Sequence, residues 1–246
     1  MGIACGLIIP KILLMKHKYH VLIPCAGSGS RFGNSLPKQY HQLLDKTILD
    51  WTLQSFLSIN RSIIESISVV HNVYDKNIVS YIRSYPQVSF IAKGGDSRAK
   101  SVLNGLLSLD GIDKDNDWVM VHDAARCLID SRDVISLIEY AEMNNVGAIL
   151  ATGATDTIKY VDTSNMQIKQ TIDRNSVYLA QTPQLYKYSD LVSSLQNVDL
   201  SAVTDESSAI ELSGLPSHVV LAKHPNFKIT YPQDMQLAEI VLKNRV

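Results

Sequence analysis

The feature that most constrains the fold is a regular alternation of short, mostly apolar segments with segments whose apolar residues recur at helical spacing. Segments of the first kind predict buried strands, at 21–24, 67–70, 88–92, 118–121 and 146–151. Segments of the second kind predict helices, with apolar stripes in 49–57, 78–84, 103–107 and 134–141. Apolar strands that are each followed by an amphipathic helix are typical of a parallel sheet covered on both faces. Because such crossovers are right-handed, the sequence predicts an α/β fold with a doubly wound, mostly parallel sheet.

The alternation is interrupted between Thr152 and Gln181. Apolar residues in 158–161 and 168–172 predict two strands around a turn at 162–166, and therefore a β-hairpin inserted after the fifth strand. An isolated hairpin is only marginally stable in water, so we expect this arm, about 153–180, to pack against a second copy of the chain. Helices are predicted again at 204–213, with Thr204 as a candidate N-cap, and at 233–243.

The 246 residues suffice for one large α/β domain, which we place at 17–246. Residues 1–16 are apolar but lack the features of a signal peptide and are too short to span a bilayer. We therefore expect 1–16 to be an extension without function, and Met15 is an alternative start.

Charge and cysteine content narrow the possible partners. The formal net charge is −1, which provides no general attraction to nucleic acid or to an anionic membrane. Cys5, Cys25 and Cys127 form no metal-binding or redox motif, so neither a disulfide framework nor a structural zinc site is favoured. The cytoplasm is the expected compartment.

A glycine-rich, cationic loop follows the first predicted strand, with the sequence PCAGSGSRFGNSLPKQ. It is not a Walker A loop, because Gly33 is followed by Asn34 instead of Lys, and its glycine spacing is one residue too long for a dinucleotide fingerprint. Main-chain N–H groups in such a loop can surround a polyphosphate, with Arg31 and Lys38 at its far end. The residue types alone also allow an ordinary mobile loop with solvated cations.

Three polar segments begin where predicted strands end, namely 24–31, 92–98 and 122–127. Ligands of doubly wound sheets bind beyond the carboxyl ends of the strands. We therefore expect the three segments to converge on one cleft.

With these segments in view, the chain from about Val21 to its C-terminus resembles the sugar nucleotidyltransferases, and among them the 2-C-methyl-D-erythritol 4-phosphate cytidylyltransferases of the non-mevalonate isoprenoid pathway. The resemblance rests on an ordered set of motifs: PCAGSGSRFGNSLPKQY, GGDSRAKSV, VHDAAR, DT at 156–157, TIDRN, QTPQ, TDESSA and KIT at 228–230. Cys25 and Cys127 depart from it, since the family commonly has Ala and Pro there. The resemblance implies transfer of CMP from CTP to 2-C-methyl-D-erythritol 4-phosphate, with release of pyrophosphate and with Mg²⁺ or another divalent cation.

The resemblance also implies roles for individual residues. Arg31 and Lys38 contact the CTP phosphates, and Lys228 contacts the phosphate of the acceptor. Nucleotide-binding positions are Ala26, Gly27, Ser28, Gly29, Gly95, Asp96, Ser101 and Asp123, of which the segment around Gly95 reads the cytosine. Acceptor-binding positions are Asp123, Arg126, Thr157, Arg174, Thr182, Thr204 and Lys228. Thr157 and Arg174 reach the neighbouring subunit's site, which implies a functional homodimer.

Several alternatives stay open at this point. Asp123 can hold Mg²⁺, contact sugar hydroxyls or cap the next turn, Arg126 can pair with a surface acid, and Thr204 can be a helix cap only. His122 is expected to be a packed strand-end residue, not a base. For the whole chain, the alternatives are a ribitol-5-phosphate cytidylyltransferase, a related transferase that uses another base, and a silent nucleotide-binding scaffold.

Overall fold

The structure, a computed structural model, describes residues 16–27, 32 and 36–245. The strands, in chain order, are β1 (Tyr19–Pro24), β2 (Gln42–Leu43), β3 (Lys46–Thr47), β4 (Ile64–Val70), β5 (Ser89–Ile91), β6 (Trp118–Val121), β7 (Gly147–Gly153), β8 (Ile158–Asp162), β9 (Gln167–Ile172), β10 (Tyr178–Lys187) and β11 (Ser217–Leu221). The helices are α1 (Ile48–Leu57), α2 (Ile78–Ser84), α3 (Arg98–Leu106), α4 (Ser131–Asn144), α5 (Tyr188–Asn197), α6 (Glu206–Leu212) and α7 (Asp234–Lys243).

Seven strands form the central sheet, in the order β11-β7-β10-β6-β1-β4-β5. Neighbouring strands are parallel except at β10, which runs antiparallel to both β6 and β7. The predicted mostly parallel α/β sheet is therefore confirmed, with one reversed strand in its middle.

Helices cover both faces of the sheet. On one face, apolar residues of α1, α2 and α4 pack against β1, β4 and β6, with Leu53, Phe56 and Leu137 in the centre. On the other face, α3, α5 and α6 pack against the same sheet, with Leu106 and Leu191 fully buried. These two layers are what the predicted crossovers require.

The predicted hairpin is present as β8 and β9, which form a separate two-stranded antiparallel sheet. Its side chains are largely exposed, including Tyr160 at 62%, Met166 at 72% and Ile168 at 59%. The arm therefore presents apolar side chains that no other part of the described chain covers.

Five elements were not predicted: the short strands β2 and β3, and β10, α5 and β11. In β10, the polar residues Gln181, Thr182 and Gln184 interrupt the apolar pattern, yet all three are buried. The cap assignment at α6 was also wrong, because the Asp205 side chain accepts the hydrogen bond from the N–H of Ser208, and Thr204 is exposed before it. The predicted extension at 1–16 falls on residues of which 1–15 lie outside the described part of the chain.

Gly147, at the start of β7, faces the ring of Tyr186 on the neighbouring strand β10. A Cβ at Gly147 would lie 2.1 Å from Cδ1 of Tyr186. That ring is 2% exposed and its hydroxyl is hydrogen-bonded to Ser217 Oγ at 2.7 Å, so it has no free direction in which to move. Close approach of the two strands therefore requires a residue without a side chain.

Gly147→Ala is expected to lower the free energy of unfolding by about 1–3 kcal/mol, because the added methyl group overpacks a filled core. Equilibrium urea denaturation measures the change. Gly153→Ala in the same strand is the matched control, since its nearest atom, Tyr178 Cε1, lies at an ordinary 3.9 Å. Equal stabilities of the two variants would contradict this explanation.

Candidate active site

A cleft of about 500 Å³ opens at the carboxyl ends of β1 and β6. All three predicted polar segments contribute to it, through 24–27, 95–98 and 123–125, and two further segments join them, 38–39 and Lys228 with Thr230. The predicted convergence is therefore confirmed for the described residues, while Ser28, Gly29 and Arg31 lie outside the described part of the chain.

Two loops of the cleft approach each other through a glycine. A Cβ at Gly94 would lie 2.4 Å from the Cβ of Ala26, so the loop after β5 can reach the loop after β1 only without a side chain. Behind it, the Gly95 N–H donates to Ser101 Oγ at 2.9 Å, and Ser101 Oγ donates to the Ser97 carbonyl at 2.8 Å. Ser101 therefore fixes the Gly94–Gly95 turn at the beginning of α3.

Gln39 anchors the first part of the glycine loop. Its Nε2 donates to the carbonyls of Cys25 at 3.1 Å and Gly27 at 3.4 Å. Burial raises the pKa of the Cys25 thiol, which also lines the cleft, to about 12, and that of Cys127 to about 12 as well. Both therefore remain protonated thiols at neutral pH, and neither departure from the family pattern adds a nucleophile.

The Asp123 carboxylate, just after β6, is the centre of a network of cations. Its Oδ1 is 2.9 Å from Arg98 Nε, and its Oδ2 is 2.8 Å from Lys228 Nζ and 3.6 Å from Arg126 Nε. Burial opposes ionisation of this carboxyl, but the positive charges of Arg98 and Lys228 outweigh it and hold its pKa well below the usual range. Asp123 is therefore an anion, and it brings together cations from three separate segments.

Arg98 was not among the predicted site residues, and neither was its second partner, Glu206. The Arg98 guanidinium binds Glu206 with two hydrogen bonds, Nη1 to Oε1 at 2.7 Å and Nη2 to Oε2 at 3.0 Å. Burial acts against the charge of Arg98, but Glu206 and then Asp123 stabilise it and raise its pKa. One feature of the sequence could have indicated that Arg98 pairs with a carboxylate: it lies in the first turn of a predicted helix, where the helix dipole disfavours a cation unless an anion is close.

Lys38 and Lys228 are brought together by the segment around Ile229. Lys38 Nζ donates to the Ile229 carbonyl at 2.9 Å, and the Ile229 N–H donates to the Ala125 carbonyl at 2.9 Å. Since Lys228 precedes Ile229 and Ala125 follows Asp123 by two residues, these bonds place both predicted lysines at the same cleft.

Arg126 is held by main-chain carbonyls. Its Nη1 donates to Asn226 at 2.8 Å and its Nη2 to Ala180 at 3.3 Å. Its buried Nε makes no hydrogen bond to the described residues. Arg126 is therefore part of the cation network and not a partner of a surface acid.

His122 is completely buried and hydrogen-bonded on both sides. Nε2 lies 3.2 Å from the Arg126 carbonyl, which can only accept, so Nε2 carries the proton and Nδ1, 3.1 Å from Thr182 Oγ1, accepts. Thr182 Oγ1 in turn accepts from the Asp123 N–H at 3.0 Å. Burial lowers the pKa of His122 to about 3, so it is a neutral packing residue, in agreement with the sequence-based expectation.

Five of the predicted substrate-binding residues do not line the cleft, namely Arg126, Thr157, Arg174, Thr182 and Thr204. Thr182 is buried behind Asp123, and Thr204 is exposed in front of α6. Thr157 and Arg174 are exposed at the base of the arm, where Arg174 Nη1 donates to the Thr155 carbonyl at 2.7 Å.

A metal ion does not fit the surroundings of Asp123. Each of its two carboxylate oxygens lies within 3 Å of a cationic side chain, which a divalent cation would have to displace. Among residues 16–27, 32 and 36–245, no group of three or more His, Cys, Asp or Glu side chains is arranged to hold a metal. The possible role of Asp123 as a metal ligand therefore lacks support from the geometry.

A doubly wound sheet with a cation-lined cleft at its strand ends, formed partly by a glycine loop, defines a nucleotidyltransferase. The family model of IspD, 2-C-methyl-D-erythritol 4-phosphate cytidylyltransferase, matches residues 19–244. The chain belongs to this family. Its reaction, CTP-dependent cytidylylation of 2-C-methyl-D-erythritol 4-phosphate in the non-mevalonate pathway, is therefore the activity of this chain, as the sequence motifs predicted.

Individual relatives agree with the family match. The chain is 39% identical over 224 residues to a 2-C-methyl-D-erythritol 4-phosphate cytidylyltransferase of Chromobacterium violaceum, covering 91% of this chain and 97% of that one. Its structure resembles a crystal structure of a 4-diphosphocytidyl-2C-methyl-D-erythritol synthase, with a TM-score of 0.79, 34% identity and coverage of 92% and 99%. It also resembles the Francisella tularensis cytidylyltransferase, with a TM-score of 0.76, 35% identity and coverage of 91% and 99%.

In the described part of the chain, every helix lacks the length or the apolar character that crossing a membrane requires.

The buried, neutral state of His122 predicts a pH-dependent stability. The unfolded chain binds a proton at His122 near pH 6.5, whereas the folded chain does so only near pH 3, so acid favours unfolding. Between pH 6.5 and 4.5 the wild type is expected to lose up to about 1.4 kcal/mol per pH unit more than His122→Gln. Urea denaturation across this pH range measures the difference, and His218→Gln, which replaces an exposed imidazole, should retain the wild-type slope. Parallel curves for wild type and His122→Gln would contradict the assignment.

Proposed function

We propose that the transfer of CMP takes place in this cleft, with the triphosphate of CTP between the glycine loop, including Arg31, and Lys38. An oxygen of the acceptor phosphate forms a bond to the α-phosphorus of CTP. The bond from that phosphorus to the oxygen bridging to the β-phosphate breaks, and pyrophosphate leaves with the electron pair. Charge stabilisation and in-line positioning supply the catalysis, and no covalent enzyme intermediate is needed.

The observation that carries this proposal is the concentration of cations at one end of the sheet. Arg98, Arg126 and Lys228 converge there around Asp123, and Lys38 lines the same cleft. A forked guanidinium and a compact ammonium are the two kinds of side chain that proteins use to bind phosphate oxygens. In this proposal Lys228 binds the acceptor phosphate at the wall of the cleft, and Arg126 contributes its positive charge from beside Asp123.

The base of CTP is proposed to lie against the Gly94–Asp96 turn. Main-chain groups there can match the donor and acceptor edge of cytosine, and Ser101 contributes by holding Gly95 in place. Ala26 and Gly27 line the cleft beside this turn. Thr182, behind Asp123, acts by fixing the Asp123 main chain.

Mg²⁺ or another divalent cation is proposed to enter as a complex with CTP. Mg²⁺ commonly binds through substrate phosphates and few protein carboxylates, and the cationic surroundings of Asp123 leave the phosphates as the ligands. Its contribution is to neutralise part of the phosphate charge.

The arm formed by β8 and β9 is proposed to mediate a homodimer. Support comes from its separation from the main sheet and from the exposed apolar side chains of Tyr160, Met166 and Ile168. In this proposal Thr157 and Arg174 at the base of the arm reach the cleft of the partner subunit, and Thr204 contacts the acceptor at the cleft edge.

Lys38→Ala is expected to reduce turnover by at least about 10²-fold, because the transition state loses a preorganised positive charge. The measurement is pyrophosphate release from CTP and 2-C-methyl-D-erythritol 4-phosphate with Mg²⁺. Lys76→Ala, which removes an exposed lysine outside the cleft, should behave as wild type. Near-normal turnover of Lys38→Ala would overturn the proposed site.

Co-expression of Lys38→Ala with Arg174→Ala tests whether the arm acts on the partner. Each variant alone is expected to be nearly inactive. In a mixed dimer, the cleft with an intact Lys38 receives the intact Arg174 of the other subunit, so part of the activity should return. Absence of recovery in an isolated mixed dimer would show that Arg174 acts within its own subunit or not at all.

A further inference from the structure

Glu206 is a fully buried carboxylate that is connected to the cleft through Arg98. Its side chain is 1% exposed and is not among those that line the cleft. Both of its oxygens accept hydrogen bonds from Arg98, at 2.7 Å and 3.0 Å, and the same guanidinium donates through Nε to Asp123 at 2.9 Å. A continuous path of ionic hydrogen bonds therefore connects Glu206 to the centre of the site.

The position of Glu206 is itself fixed by β10. Gln184 Oε1 accepts from the Ser207 N–H at 2.8 Å, and Gln184 Nε2 donates to Asp205 Oδ2 at 2.8 Å. Gln184 is 1% exposed and lies on the strand that pairs with β6. The residues on both sides of Glu206 are thus attached to β10, the neighbour of β6, which ends two residues before Asp123.

Fold stability alone does not account for this arrangement. Arg98 is the first residue of α3, where a cation is disfavoured by the helix dipole. A buried ion pair is often no more stabilising than apolar residues of similar volume, because both charges lose their hydration. The arrangement instead fixes the orientation of the Arg98 side chain, because a planar guanidinium with two bonds to Glu206 can present Nε to Asp123 in only one way.

We propose that Glu206 is a positioning residue for the transfer reaction, which orients Arg98 so that the Asp123 carboxylate is fixed among Lys228, Arg126 and the acceptor. The inference rests on the proposed function, and within it on Asp123 as an acceptor-binding position, the role that the family resemblance implies. Glu206 contacts neither substrate, so its effect is expected on use of the acceptor and not on binding of CTP.

The decisive experiment compares Glu206→Gln with the double variant R98Q/E206Q. Glu206→Gln should lower kcat/KM for 2-C-methyl-D-erythritol 4-phosphate by about tenfold or more, because a small misplacement of positioning groups is costly. The dissociation constant for CTP should stay within about twofold of wild type. The double variant removes both charges, so no uncompensated buried ion remains, and its thermal midpoint should equal or exceed that of Glu206→Gln.

Activity and stability then separate the two explanations. A positioning role predicts that the double variant is stable but still impaired with the acceptor. A merely structural role predicts normal kcat/KM for the acceptor in a folded Glu206→Gln variant, and that result would overturn the inference. Because R98Q/E206Q also removes a cation of the cleft, its use is to show that impairment with the acceptor persists when stability is restored. Glu211→Gln, which removes an exposed carboxylate from the same helix, is the matched control and should be unchanged.

Asp123→Asn distinguishes a failure of this inference from a failure of the proposed site. If Asp123→Asn retains full turnover, the site assignment fails and the inference with it. If Asp123→Asn is impaired and the Glu206 variants are normal, only the inference fails.

Discussion

The arrangement of this site depends on one interaction, the ionic contact of the Asp123 carboxylate with Arg98 and Lys228. These residues come from the ends of β6, the first turn of α3 and the segment before α7, which are far apart in sequence. In a cleft with limited access of water, such contacts are stronger than on the surface, and an unpaired member would be costly. The carboxylate therefore determines where the ends of three elements meet, and the cleft is the space between them.

The reversed strand β10 makes this possible. It lies between β6 and β7 in the sheet. Two of its buried polar residues hold parts of the site: Thr182 fixes the main chain of Asp123, and Gln184 fixes the beginning of α6. A purely parallel sheet would place an apolar strand here and would offer neither contact. The segment that departs from the regular alternation in the sequence therefore forms β10, the strand that supports the site.

The features that could be predicted from the sequence are those that apolar patterns or local motifs determine. Strands β1, β4 and β6 and the helices between them follow from apolar periodicity, because most of their buried residues are apolar. β10 could not be recognised in this way, since Thr182 and Gln184 are polar and become buried only through tertiary hydrogen bonds. Likewise the glycine loop and Lys38 carry local signals, whereas the pairing of Arg98 with Glu206 joins residues 108 positions apart and has no local pattern. The roles of individual residues that the family resemblance implies are predictions.

Two cations of the site, Arg98 and Lys228, differ in how firmly the carboxylates hold them. Without anions, Lys38, Arg98, Arg126 and Lys228 would repel one another, and the cleft would be held open only at a cost in stability. Arg98 is bound by two carboxylates and its contact with Glu206 is buried, so exchanging it for a substrate would leave a charge uncompensated. Lys228 has a side chain that is 34% exposed and contacts Asp123 through a single ammonium group. Of these two cations, Lys228 is therefore the one that can turn from Asp123 to a phosphate at low cost, while Arg98 keeps the carboxylate in place as it does so.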